Sequence, residues 1–280
     1  MQRLAVTLWQ KVFVEPWRKS GEESRAHLAS PAGERPDWQV VWVLITAAVC
    51  LTLLEYVGKA PHYERAASVL ESLGFAEQAE QFLSAADDPR QREIVRLTWW
   101  GVSCVICYLV LPVLVIRLVF KQRAADYGLR FQGMFQDAWI YGLMFAGMLP
   151  VVLTVSFSPR FLSMYPFYKL APDEPLWPRF LAYEMLYILQ FVSLEFFFRG
   201  FLVHGTRLRF GFYSVLVMMI PYAMIHFGKP MAETLAAIAA GIVLGAMSLK
   251  TRSVWMGAAL HVGVALTMDT LALWHKELLW

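Results

Sequence analysis

FLAYEMLYILQFVSLEFFFRGFLV, residues Phe180 to Val203, decides how this chain is read. The run is apolar and longer than the ~20 residues a helix needs to cross a bilayer, yet it carries Glu184, Glu195 and Arg199. A membrane anchor needs none of them. Ionised groups in hydrocarbon are costly, so they normally face a bundle interior and mark a functional site. Glu195 and Arg199 stand four apart on one helix face and can pair, which lowers the cost of keeping either charge away from water. By spacing alone, a structural ion pair and a functional one fit equally well.

The rest of the chain agrees with a membrane setting. Of 280 residues, 58% are hydrophobic and only 17% charged, well outside the range of soluble domains. The net charge of +3 is small and the basic residues are scattered over short loops, which excludes a nucleic-acid partner. Apolar runs predict spans at Trp38–Val57, Leu97–Phe120, Ala138–Ser156, Phe180–Val203, Phe212–Phe227, Thr234–Leu249 and Val254–Leu273. The fold class is therefore all-α, a polytopic transmembrane bundle of about seven spans.

Residues 1–36 place Leu4, Leu8, Val12 and Phe13 at helical spacing beside Trp9 and Trp17, the pattern of a helix lying on the membrane surface. With the first apolar run beginning only near Trp38, no cleaved signal peptide is expected. Residues 37–124 hold two spans. The acid-rich loop between them, 58–96, reads as two short amphipathic helices broken at Gly74. Residues 125–273 form the remaining core. Lys and Arg gather in the segments that become cytoplasmic if the N terminus is inside, so the expected topology is N-in, C-out. Cys50, Cys104 and Cys107 all lie in apolar runs and read as packing residues, not as a disulfide or redox set.

Besides Glu195 and Arg199, the polar residues within spans are Glu55, Glu184, His204, His226, His261 and Asp269. His226 ends PYAMIHFGKP, a span bent by Pro221 and closed by Gly228 and Pro230, and irregular backbone at depth is tolerated where it lines a cavity. His261 lies roughly 11 Å into the last span at 1.5 Å per residue. Glu195, His226 and His261 lie at compatible depths. An acid and two histidines around water are the parts of a general-base site with an oxyanion stabiliser. The same three would also hold zinc, with water in the fourth position, and spacing does not decide between the two. Glu55 and His204 fall at span ends, where interface contacts suffice. Glu184 is expected to pair with Arg179, and Asp269 is a secondary candidate.

LEFFFRG, YAMIHF and GAALHVGVA, in this order and spacing, resemble the CAAX-protease and bacteriocin-processing proteins, the Abi or type II CAAX prenyl endopeptidase group of intramembrane endopeptidases. DYGLRFQGMFQDA looks like the loop that precedes that family's core, so the resemblance covers about residues 125–270. It implies a Glu-Glu pair followed by three residues and Arg, then an aromatic three residues before a His, then a second His with Asn four residues later. Glu195 matches the second Glu, Arg199 the Arg, Tyr222 the aromatic residue, and His226 and His261 the two histidines. Leu194 and Ala265 depart, standing where Glu and Asn are expected. The implied activity is cleavage of a membrane-anchored or lipid-modified protein or peptide near its C terminus. In it Glu195 and His226 activate water, His261 holds the oxyanion and Arg199 holds Glu195. The two departures support the alternative, an inactive descendant serving as a binding or immunity module. The family is described both as metal-dependent and as metal-free, so a divalent ion such as zinc stays open.

Overall fold

A computed structural model describes the chain except residues 1, 60, 172–173, 230 and 280 and the side chain at position 232. Pro230, expected to help close the short fifth span, lies outside the described residues. The chain is 77% helix, with no strand among the described residues. This is what lipid demands, since a helix satisfies its backbone polar groups internally.

The N terminus forms α1 (Gln2–Trp9) and α2 (Glu15–Leu28). Among the described residues, six helices are long and apolar enough to span a membrane: α3 (Trp38–Gly58), α6 (Arg92–Val119), α7 (Ala138–Val155), α9 (Arg179–Phe210), a stretch of α11 (Glu233–Thr251 within Met231–Thr251), and α12 (Trp255–His275). The seventh expected span is the shorter apolar α10 (Tyr213–Met224). The outer loop folds as anticipated into α4 (Tyr63–Ser72) and α5 (Ala76–Asp87), with Gly74 in the turn at φ +90°. A further short helix, α8 (Pro159–Met164), follows α7.

The main departure from the expected spans is α9, which runs on past Val203 to Phe210. Residues 193–206 are buried on every side, so this part of the helix is enclosed in protein instead of facing lipid. Phe196, Phe197, Phe198 and Phe201 are all fully buried.

Two compact units emerge, each assembled from three stretches of sequence: residues 1–50, 108–144 and 192–260, and residues 51–107, 145–191 and 261–280. In the first, α2 docks on the protein through Trp17, whose ring meets Phe212 and Tyr213 at 5.0 and 5.4 Å, and through Ser24 Oγ, which donates to the Arg209 carbonyl at 3.2 Å. Gly200, the last residue of the quoted motif, allows another close approach: a Cβ there would meet the Tyr127 carbonyl oxygen at 2.5 Å. Any larger residue would force that loop away.

The second unit is organised by an aromatic stripe. Tyr183, Tyr187 and Phe191 recur every four residues, so they share one face of α9. Rings 183 and 187 stack at 5.3 Å, and 187 and 191 meet at 4.7 Å. Leu97, Tyr168, Ala265 and Leu273 are buried with them. Cys50, Cys104 and Cys107 are buried thiols, as their apolar surroundings suggested.

Candidate functional site

In the first unit the quoted stretch changes helical form at the residue of interest. α9 is α-helical through Glu195 and continues as a π-helical segment from Phe196 to Leu202. A π segment adds a residue to each turn and so re-aims the side chains beyond it; such bulges recur at functional sites. Related π turns interrupt α3 at Leu54–Gly58 and α6 at Ile106–Val110 and Val115–Val119, so the feature is not confined to this place.

Glu195 is 0% exposed and Arg199 1%, with Nη1 of the arginine 2.9 Å from Oε1 of the acid. The pairing expected from their spacing is made. Two neighbours shape it. The guanidinium carbon lies 3.9 Å from the centroid of the Tyr222 ring, a cation–π contact in a dry setting. On the other side, the carboxylate rests in the gap left by Gly257 of α12: a Cβ at 257 would be 2.5 Å from Glu195 Oε2. Glu195 thus lies between Arg199 and a residue with no side chain.

Tyr222 also leads to His226. Their rings meet at 4.8 Å, and His226 Nδ1 is 2.8 Å from the Tyr222 carbonyl oxygen. A carbonyl only accepts, so Nδ1 carries the proton of the neutral ring and Nε2 the lone pair. In this tautomer Nε2 is the nitrogen through which the ring could act as a general base or ligate a metal. The helix ends at Met224, and His226 stands in the turn beyond it, before Gly228 at φ +91°. Its carbonyl accepts from Thr234 Oγ1 at 3.0 Å. The irregular backbone expected around this histidine is present. Glu195, Arg199, Tyr222 and His226 therefore form one connected set within the first unit.

His261 and Ala265 belong to the second unit. The His261 ring stacks on Phe191 at 5.7 Å, and Ala265 is buried in the aromatic cluster that contains Tyr187. The position where Asn was expected is therefore part of an apolar core. Further along α12, Asp269 is 1% exposed and accepts from the Tyr183 hydroxyl at 3.3 Å. Glu184, 7% exposed, lies beside Asp269, the two buried carboxyl groups acting on each other. This pairing corrects the expected Glu184–Arg179 contact. Five residues turn a helix by 500°, which leaves those two on different faces. Arg179 instead donates to Glu174 at 3.1 Å and to the Arg90 carbonyl at 2.8 Å.

His204 corrects a second expectation. It is not an interface residue but is 4% exposed, with Nε2 3.1 Å from Ser248 Oγ, whose own proton goes to the Arg199 carbonyl at 3.0 Å. The serine proton is thus committed to a backbone acceptor, so the pair braces the motif helix and is not a nucleophile and base. Glu55 behaves as expected, exposed and paired with Lys59 at 2.5 Å. Gly257 drew no attention in sequence because small residues are common in membrane helices. The Tyr183, Tyr187, Phe191 repeat was the signal that would have placed Asp269.

Among the described residues, no three of His, Cys, Asp and Glu gather as metal ligands do. No curated protein and no solved structure matches the chain significantly. Residues 175–267, from just before α9 into the last span and thus including Glu195, Arg199, Tyr222, His226 and His261 but not the loop before α7, match the model of the family described as type II CAAX prenyl endopeptidase, Rce1-like.

Proposed function

We propose that the chain is an intramembrane endopeptidase that cleaves a membrane-anchored or lipid-modified protein or peptide near its C terminus. The observation that carries this reading is the orientation of His226, whose Nδ1 is tied to the Tyr222 carbonyl, so that the lone pair of the neutral ring lies on Nε2. Glu195 and His226 form the water-activating half of the site. His226 takes the proton, because the Glu195 carboxylate is committed to Arg199. Glu195 keeps the Arg199 charge under the Tyr222 ring against which His226 packs, and so holds the base in register. The resemblance gives His261 the role of donor to the oxyanion of the tetrahedral intermediate. The substrate is presented from the lipid phase, and the N terminus is cytoplasmic with the C terminus outside.

A second reading, a non-catalytic binding or immunity module, is favoured by Leu194, by the full burial of Glu195 and by the apolar setting of Ala265. The two separate in a cleavage assay on the reconstituted protein, using a quenched fluorogenic peptide that ends in a farnesylated Cys-Ala-Ala-Met. Wild type cleaves it under the first reading. His226→Ala abolishes cleavage and Glu195→Ala reduces it at least 100-fold, on the order of what a positioned acid–base group supplies. Cleavage unchanged in both variants overturns the assignment. Loss in His226→Ala alone makes another acid responsible, and Glu184 and Asp269 are then the next to replace.

A further inference from the structure

We propose that Arg130, Arg207 and Arg252 form a binding site for a phosphate group, supplied either by an anionic lipid or as a free anion. The three come from separate parts of the first unit, lie at span ends and are all near enough to His204 to act on it as positive charges. Arg207 lies in the last turn of α9, Arg252 directly follows α11, and Arg130 lies in the loop before α7. That loop is strapped to the segment after α11. Val254 N donates to the Gly128 carbonyl at 3.1 Å, Ser253 Oγ donates to the Arg130 carbonyl at 2.9 Å, and Phe131 stacks on Trp255 at 4.8 Å. His204 borders the same loop, its Cδ2 3.6 Å from where a Cβ on Gly128 would lie. Span ends sit at the level of lipid headgroups, where Lys and Arg meet anionic lipid.

Two observations point to an anion. First, hydrogen-bond donors outnumber acceptors: among the described residues, Arg130 Nε, Arg207 Nε and the Trp255 indole Nε1 are buried donors with no acceptor. Buried donors are nearly always satisfied, so each orphan calls for an explanation. Second, charge is unbalanced. Glu23 alone bridges Arg207 and Arg252, at 2.5 Å to each, and none of the ion pairs among the described residues includes Arg130. Asp126 adds a more distant negative charge beside Arg207, and Lys19 another positive one beside Glu23. Water would satisfy the donors but not the surplus charge. A phosphate does both, and its oxygens match the guanidinium fork.

The test uses the purified full-length protein in uncharged detergent, with thermal unfolding followed by tryptophan fluorescence. One arm titrates sodium phosphate against sodium chloride at matched ionic strength. The other titrates short-chain phosphatidylglycerol against phosphatidylcholine. A rise in Tm beyond the matched control is expected in at least one arm, and the responding arm identifies the source. Arg130→Gln should weaken the apparent affinity roughly tenfold, the loss of one charge-assisted hydrogen bond. Glu23→Gln removes the competing carboxylate and should tighten binding, which no purely structural role for these arginines would produce. The site is overturned if neither arm exceeds its control, or if Arg130→Gln responds like wild type. Should Arg130→Gln fail to fold, Glu23→Gln decides, since unchanged or weaker binding there overturns the proposal.

Discussion

Replacing Gly257 with alanine tests how the Glu195 carboxylate is held. The new Cβ would lie 2.5 Å from Oε2 and 3.4 Å from Cδ of Glu195, where only the second is an ordinary contact. The carboxylate must therefore retreat by about 1 Å, as overpacked side chains do. It has nowhere easy to go, because Arg199 Nη1 already stands 2.9 Å from its other oxygen. Overpacking of this kind destabilises by about 1–3 kcal/mol. Gly→Ala in a helix interior returns up to ~1 kcal/mol, and less in the first turn of α12, where Gly257 sits. A net loss of about 1–2 kcal/mol is expected. Glu195→Asp shortens the side chain by one methylene and draws the carboxylate out of the notch. The double variant should consequently be more stable than the two single losses predict, by ~1 kcal/mol or more. Tm values read by tryptophan fluorescence in detergent, completed as a double-mutant cycle, measure this. Losses that add to within about 0.5 kcal/mol would refute the seating argument, whatever the protein cleaves.

Three further outcomes are expected. Ala265→Asn, which restores the residue the family pattern calls for, forces an amide into the aromatic cluster around Tyr187 and should destabilise by about 1–3 kcal/mol in the same assay. Glu184→Gln supplies a permanent N–H donor to Asp269 and should be tolerated to within ~1 kcal/mol, whereas Glu184→Ala removes a buried partner and should lose more in thermal unfolding. On acidification α2 should detach from the protein. Burial pushes the Glu23 carboxyl up, but Arg252 and Arg207 more than offset this and hold it below its ordinary 4.5; Asp137 is likewise held below 3.8 by Lys11 and Lys250 against its burial. Folded values below unfolded ones mean that this stabilisation is complete above about pH 4.5 and lost as pH falls through the folded values. Trp17 fluorescence against Phe212 reports the detachment, and a signal constant from pH 7 to below 3 would contradict it.

The spans were legible because a bilayer imposes its thickness on the sequence: each apolar run approaches the length needed to cross it, and helices begin and end within a few residues of those runs. The end of α9 was not legible, because Arg207 and Arg209 look like the start of a loop when depth is counted along one chain. They are solvated or paired while the helix continues under them, through Glu23 for Arg207 and the Gly33 carbonyl for Arg209. His204 was misplaced for the same reason, since its partner Ser248 comes from a helix 44 residues away and no local pattern announces it. Glu184 was assigned to the nearest cation in sequence, yet the face it occupies belongs with the acid on α12. The pair at Glu195 and Arg199 was legible because both partners share one helix face. Their seat was not, because Gly257 contributes the absence of atoms.

Leu194 remains the residue on which the chemistry turns, and Leu194→Glu puts the two functional readings in direct opposition. Leu194 is buried in the first unit beside Glu195, and neighbouring helical residues point about 100° apart, so a carboxylate at 194 would not enter the notch opposite Gly257. It would be a second acid in a dry setting with Arg199 already engaged, and an uncompensated buried charge is unfavourable by several kcal/mol. If Glu195 and His226 are the working pair, Leu194→Glu should lower both Tm and cleavage of the farnesylated peptide. If the chain is an inactive descendant that lost its water-activating acid, the substitution returns that acid, and cleavage should appear where wild type has none. A gain of activity in Leu194→Glu that disappears with His226→Ala would therefore overturn Glu195 as the acid while keeping His226 as the base.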